Sequence, residues 1–356
     1  MYCFTCSRNI GASYRFFLAL PLDFWESIYM AAPIHPQNVI ALVWDFDKTL
    51  IPGFMQDPIF REYGLDDAQF WREVNALPEY YKRLGVNVNP DNAYLNHLIT
   101  YTVHGHMPRL TNSKLKELGT RIEFHPGLPD FFPYLQKLLS QVSDADRFEL
   151  RLEHYIVSAG LREMIEGSAI RPFVEDIWAS EFIEAPAHPG FDPDVTLDLD
   201  ESKSAASLFP VEGISQIAVA YDNTSKTRAL FEINKGSNKN SAIDVNATMR
   251  REDRRVPFEN MIYIADGPSD VPAFSVVRHN GGTAFAVYDD NQPQSLEQAD
   301  SLRKEGRVDH FGPADYRLES STARWLSLRV RQIAAAIIEQ RRETLKKNVG
   351  TVPRHL

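Results

Sequence analysis

The sequence predicts an α/β protein whose parallel sheet is covered by helices on both faces. Three observations lead there. Short runs rich in Val, Ile and aromatic residues alternate with helix-periodic segments, the pattern of strands joined by crossover helices. The first two runs are separated by more than a hundred residues of helical pattern, far more than one crossover requires. A long amphipathic stretch closes the chain.

In chain order, the candidate strands are "VIALVWDF" (39–46), "HYIVSA" (154–159), "DIWASEFI" (176–183), "MIYIAD" (261–266) and "GTAFAVY" (282–288). β-branched and aromatic residues suit a pleated, buried surface. Helical patterns such as "LREMIEGS" and "SKTRALFEINKG" follow, directly or after an insertion, so parallel pairing through crossovers is expected. Between the first two strands, "DPIFREYG", "DAQFWREVNALPEYYKRLG", "NAYLNHLITYTVHG" and "NSKLKELGTRI" read as helices, and 53–122 is expected to form a separate helical unit. The main domain then comprises 36–52 and 123–320, resumed by the helix in "FHPGLPDFFPYLQKLLSQV", with 1–35 as an N-terminal extension. A second insertion, 186–213, is rich in Pro and acidic residues and reads as irregular, and 237–255 reads as a polar, mobile surface loop. Residues 321–356 are expected to form a C-terminal helix that packs on the sheet. Ser320 or Ser321 lies near its start, and basic residues lie at its end, where the helix dipole favours them.

Composition narrows the function classes. With 44% hydrophobic and 24% charged residues, the 356-residue chain is ordinary for a soluble globular protein. Its net charge of -10 argues against binding nucleic acid through the phosphate backbone. Cys3 and Cys6 form one CxxC without a second pair or nearby His to complete a zinc tetrahedron. The stretch "YRFFLALPLDFWESIYMAA" is interrupted by Pro21, Asp23 and Glu26, and falls short of the ~20 apolar residues a spanning helix needs. Its apolar centre is also short for a signal peptide. No membrane association and a cytoplasmic location are therefore expected, with Met1 and Met30 both open as starts.

The chemistry is concentrated in "LVWDFDKTLIPG" (42–53), where an apolar run ends in Asp45 and Asp47. Carboxylates this close repel unless a cation sits among them, and a hard divalent ion such as Mg²⁺ prefers oxygen ligands. Alternatively, one carboxylate attacks an electrophile while the other exchanges protons. A third reading makes both Asp residues helix caps. Three later segments favour the chemical readings. "VSAG" (157–160) places Ser158 and backbone N–H groups at a strand-to-helix turn, suited to an anionic oxygen. "NTSKTRALFEINK" places Lys226 at the start of a helix, where its ammonium would neutralise charge. "YIADGPSDVPAF" ends a strand with Asp266, followed by Gly267, Ser269 and Asp270. In a parallel sheet such strand ends share one edge, where ligands bind.

These segments resemble the haloacid dehalogenase superfamily, in particular its phosphatases related to phosphoserine phosphatase. "WDFDKTL", "IVSAG", "SKTRALFEINK" and "IADGPSD" match its four motifs, in its order, within residues 39–290. The resemblance implies a Rossmann-like parallel-sheet core with an inserted helical cap. It also implies a Mg²⁺-dependent phosphatase acting on a small phosphorylated substrate, with a phosphotransferase of the same fold or a catalytically inactive binding protein of that fold as the alternatives. Asp45 would be the nucleophile that becomes an aspartyl-phosphate, and Asp47 the general acid and base. Ser158 and Lys226 would hold phosphoryl oxygens, with Thr49 shaping the same phosphate-binding turn. Mg²⁺ would be held by the Asp45 carboxylate, the Asp47 main-chain carbonyl and Asp266, with Asp270 completing or supporting the site. An acidic residue at position 47 favours phosphate ester hydrolysis within the superfamily.

Two features depart from the family pattern. Ala265 stands where relatives often have Gly. The 68 residues from Ser158 to Lys226 are more than compact relatives use, which leaves Lys235 and Lys203 as alternatives for the lysine. In the expected cap, Arg61, Tyr80, Lys82, Arg83, His104, His106 and Arg109 either point inward toward substrate or are solvated surface groups, the second reading favoured because charged residues are mostly exposed. "HGH" (104–106) lacks a third ligand for a metal.

Overall fold

The computed structural model describes residues 35–187, 189–191 and 212–349. Cys3, Cys6, Met30, Lys203 and most of the 186–213 insertion lie outside the described residues.

Seven strands form one sheet: β1 (Val39–Trp44), β2 (Arg151–Leu161), β3 (Asp176–Ile183), β4 (Gln216–Val219), β5 (Met261–Ala265), β6 (Thr283–Tyr288) and β7 (His310–Pro313). Their order is β4-β3-β2-β1-β5-β6-β7. β4 runs antiparallel to β3, and every other neighbouring pair is parallel. The sheet is thus wider than the apolar pattern suggests. β4 and β7 escape that pattern for a physical reason: "QIAV" is a mostly exposed edge strand and "HFGP" carries Gly and Pro, neither of which shows the continuous apolar run of an interior strand.

β1 is central and buried along its whole length. Its side chains alternate between two cores. Ile40, Leu42 and Trp44 face one apolar cluster, and Val39, Ala41 and Val43 face the other. The second cluster is completed by α7 (Ser225–Lys235), α8 (Val271–His279) and α9 (Pro293–Lys304) through Leu230, Phe274 and Leu302. The first takes in α5 (Phe131–Ser140), α6 (Arg162–Gly167) and α10 (Ser321–Val349). α10 contributes Leu326, Val330, Ile333 and Ile337, a helix-spaced stripe. Its start is capped by Ser320, whose Oγ accepts from the Ala323 N–H at 3.0 Å.

The segment between β1 and β2 holds α1 (Asp57–Tyr63), α2 (Asp67–Arg83), α3 (Pro90–Val103) and α4 (Asn112–Gly119) ahead of α5. Phe60, Phe70, Leu98 and Leu118 from these helices belong to the same apolar cluster as Trp44 and Leu326. The insertion expected to be separate is therefore separate in chain position but shares a core with one face of the sheet. At Gly119, where α4 crosses α6, an added Cβ would lie 2.1 Å from the Met164 carbonyl oxygen, so the two backbones meet directly. Arg61, Tyr80, Lys82, Arg83, His104, His106 and Arg109 are exposed.

The 237–255 stretch is tied down. Lys235 donates to the carbonyls of Val245 (2.6 Å) and Ala247 (2.5 Å), which places its ammonium away from the strand ends. Arg255, just beyond, pairs with buried Glu153 on β2.

Candidate active site

Register brings the motifs together. Trp44 pairs with Ile156 on one side and with Ile264 on the other, so Asp45, Val157 and Ala265 are each one residue further along their strands. The Asp45 N–H continues the ladder, donating to the Ile264 carbonyl at 2.9 Å. Asp45 and Asp47 cap no helix. The N-cap of α1 is Gln56, and the Asp47 carboxylate accepts instead from the Met55 N–H at 2.9 Å.

Lys226 lies one residue into α7, and the residue is 2% exposed. Its Nζ donates to Asp45 Oδ1 at 2.8 Å and to Asp270 Oδ1 at 2.7 Å. The long gap before Lys226 therefore does not displace it from the carboxylates. The entry to α7 is held by Asp222, whose Oδ1 accepts from the N–H groups of Thr224 (3.0 Å) and Ser225 (2.7 Å). Asp270 begins α8 without capping it. Beyond Lys226, its Oδ1 accepts from the Tyr263 hydroxyl, and its Oδ2 accepts from Ser269 Oγ at 2.9 Å.

One ligand oxygen from each of Asp45, Asp266 and Asp270 falls within 4.8 Å of the others. Four acids, Asp45, Asp47, Asp266 and Asp270, thus surround one ammonium. Burial pushes Asp45 up to about 6, with Lys226 opposing. Burial and then the Asp45 charge push Asp47 up to about 8, and burial and Asp45 push Asp266 up to about 7. Burial disfavours the Lys226 ammonium, but Asp270 and Asp45 more than offset this and hold its pKa above the ordinary range. Negative charge in excess of local positive charge is costly in a buried setting. A hard divalent cation would relieve it, and an all-oxygen donor set suits Mg²⁺.

Two expected residues sit differently. Ser158 is not at a strand-to-helix turn. It lies within β2, where the ladder to β3 shifts register between Val157 and Leu161, and its Oγ accepts from the Gly160 N–H at 3.0 Å. An added Cβ at Gly160 would lie 2.2 Å from Met55 Cε, so the Met55 side chain would have to move to admit one. Thr49 is fully buried in the turn after β1. Its Oγ1 has no hydrogen-bond partner, and its carbonyl accepts from the Tyr316 hydroxyl at 2.7 Å.

Sequence reasoning missed Tyr263, Asp222 and Tyr94. Tyr263 reads as core because it lies in an apolar strand. Its signal is that a fully buried tyrosine hydroxyl requires a partner. Tyr94, on α3, donates to the Ala159 carbonyl at 2.6 Å. A cavity of about 410 Å³ is lined by Ile51, Phe54, Met55, Asp57, Arg61 and Glu123 among others, and by none of Asp45, Asp266 or Asp270. The two are linked through Met55, which lines that cavity and whose N–H donates to the Asp47 carboxylate at 2.9 Å.

No family model matches the chain. An uncharacterized protein of Borreliella burgdorferi is 36% identical over 295 residues, covering 82% of this chain and 96% of that protein. This chain belongs to the same family. Solved structures similar to this family member include a haloacid dehalogenase family hydrolase of Salmonella enterica serovar Typhi, with 15% identity, 82% and 77% coverage of the two chains and a TM-score of 0.43. A probable phosphoserine phosphatase of Vibrio cholerae shows 11% identity, 87% and 68% coverage and a TM-score of 0.44. A phosphoserine phosphatase carrying a phospho-aspartyl intermediate analogue shows 15% identity, 77% and 93% coverage and a TM-score of 0.41. The family member's own strand order, parallel sense and four motifs at one sheet edge make its core haloacid dehalogenase-like. Among the described residues, no helix is long and apolar enough to cross a membrane.

Proposed function

We propose that the protein is a Mg²⁺-dependent phosphatase that hydrolyses a small phosphorylated metabolite through an aspartyl-phosphate on Asp45. One observation carries this reading: the buried Asp45 carboxylate is held by Lys226 at 2.8 Å and grouped with Asp266 and Asp270 within 4.8 Å. A nucleophilic carboxylate fixed by a cation beside a site for a hard metal is what phosphoryl transfer demands, since that reaction depends on positioning and charge neutralisation.

In the first step an Asp45 oxygen attacks phosphorus while the bond to the ester oxygen breaks. Asp47, protonated at neutral pH because its pKa is pushed up to about 8, gives its proton to the leaving alkoxide. The Met55 N–H holds that carboxyl in place. In the second step Asp47 takes a proton from water, the oxygen attacks phosphorus, and the Asp45 acyl phosphate bond breaks to release phosphate. Lys226 restrains Asp45 and offers positive charge to the phosphoryl oxygens, which Ser158 also receives. Asp45, Asp266, Asp270 and the Asp47 carbonyl would hold Mg²⁺, which when bound neutralises the carboxylates and the incoming phosphoryl group. The inserted helices would shield the site from bulk water. A cytoplasmic setting belongs to the same proposal.

The test is hydrolysis of p-nitrophenyl phosphate by purified protein with and without Mg²⁺. Turnover that needs the metal and disappears in Asp45→Asn is expected. Undiminished turnover in Asp45→Asn would reject the mechanism.

A further inference from the structure

At the register break in β2, between Val157 and Leu161, side chains reach three backbone polar groups. The Gly160 N–H donates to Ser158 Oγ at 3.0 Å and the Leu161 N–H donates to Met55 Sδ at 3.0 Å. The Ala159 carbonyl accepts from the Tyr94 hydroxyl at 2.6 Å and more weakly from Ser180 Oγ at 3.3 Å. Ser180 Oγ also accepts from the Tyr221 N–H at 3.0 Å while donating to that carbonyl. In the 159–160 peptide, Ser158 Oγ thus holds the N–H, and the shorter of the two bonds to the carbonyl comes from Tyr94 on α3 of the inserted helices, 65 residues away in the chain. The tyrosine is 6% exposed and wedged against Trp71, with ring centroids 6.0 Å apart. It also lies near enough to Asp47 to feel its charge.

We infer that Tyr94 is a positioning residue for phosphoryl recognition: its hydroxyl fixes the Ser158–Gly160 segment in the conformation that receives an anionic oxygen, and so makes the site depend on how the inserted helices are seated. This rests on the phosphatase reading of the site. A backbone segment with few ladder bonds is free to shift its N–H groups by fractions of an ångström, and preorganised donors lose their electrostatic advantage when they move. The hydroxyl that pins the 159 carbonyl sets the direction of the 160 N–H, because both belong to one planar peptide unit, and that N–H in turn holds Ser158 Oγ at 3.0 Å.

The experiment compares Tyr94→Phe with Tyr101→Phe. Tyr101 is on the same helix and its hydroxyl donates instead to Glu73, at 2.6 Å. For Tyr94→Phe, KM for p-nitrophenyl phosphate and the inhibition constant of inorganic phosphate are expected to rise together by about fivefold, the effect of one lost hydrogen bond. Tyr101→Phe is expected to lower the melting temperature without moving either constant. If Tyr94→Phe lowers the melting temperature and leaves both constants at wild-type values, the hydroxyl is structural only and the inference is overturned. Should Tyr94→Phe fold poorly, Ser180→Ala removes the other donor to the same carbonyl and is expected to move the same two constants, by less; unchanged constants there count against the inference. Amide hydrogen exchange at Gly160 separates this inference from the phosphatase reading. A wild-type protein with no phosphatase turnover would reject that reading, and in that case unaltered Gly160 exchange in Tyr94→Phe would overturn the positioning role too, whereas exchange accelerated about fivefold would keep it.

Discussion

The Lys226 ammonium donates to Asp45 Oδ1 at 2.8 Å across 181 residues of sequence, and the same nitrogen reaches Asp270 Oδ1 at 2.7 Å. One cation thus joins the end of β1 to the start of α8. Removing it leaves two buried carboxylates facing each other.

Lys226→Met is accordingly expected to abolish phosphatase turnover and to destabilise the fold by about 3 kcal/mol or more, the usual effect of deleting one partner of a buried ion pair. Urea unfolding would measure the loss. Added Mg²⁺ should recover part of it, because the ion replaces some of the missing positive charge. A variant as stable as wild type in metal-free buffer would contradict the charge balance described for the site.

The raised carboxylates make a statement about pH. Asp45 at about 6 and Asp266 at about 7 bind protons in the folded state that they have lost in the unfolded state, where they titrate near 3.8. Between those limits the folded state binds more protons, so this contribution favours folding at low pH and is lost as pH rises from about 4 through 7. Metal-free protein should therefore show a melting temperature that falls across this window. Mg²⁺ binding, which requires the ionised form, should tighten over the same range and release protons. Calorimetric titration in buffers of different ionisation enthalpy would count those protons, and none released at pH 6 would refute the assignment.

Asp47, held near 8, is protonated at neutral pH. Turnover limited by leaving-group departure is expected to decline as pH rises past about 8. Asp47→Asn should reduce kcat by about 10²-fold or more for alkyl phosphates, whose leaving group needs a proton, and by much less for p-nitrophenyl phosphate, whose leaving group does not. Equal losses on the two substrates would remove Asp47 from the acid role.

The crossing of α4 over α6 is testable without any assay of function. Gly119→Ala places a methyl group against the Met164 carbonyl, a backbone atom 2.1 Å from the new carbon. Overpacking of this kind is expected to cost about 1–3 kcal/mol. Chemical denaturation would read it, and a neutral result would mean that the two helices separate freely.

Interior strands were legible because burial on both faces demands continuous apolar runs. β3 (Asp176–Ile183) matches its predicted bounds, and β1, β5 and β6 differ from theirs by two residues at most. β4 and β7 were not, since an exposed edge and a Gly-Pro strand carry no such run. Asp45, Asp47, Asp266 and Asp270 stood out because ionisable groups beside apolar runs are conspicuous in any chain.

What the sequence by itself determined is therefore the kind of fold and the identity of the charged groups, both written in local pattern. Tertiary structure alone decided three things. It selected Lys226 and set Lys235 aside, by turning one ammonium into the carboxylates and the other toward the Val245 and Ala247 carbonyls. It gave Tyr263 and Tyr94 their partners. It placed Ser158 within a broken strand, not at a turn. The physical reason is common to all three: hydrogen bonds between different elements, seven residues apart for Tyr263 and Asp270 and 181 for Lys226 and Asp45, depend on register and helix packing, and no local periodicity encodes them.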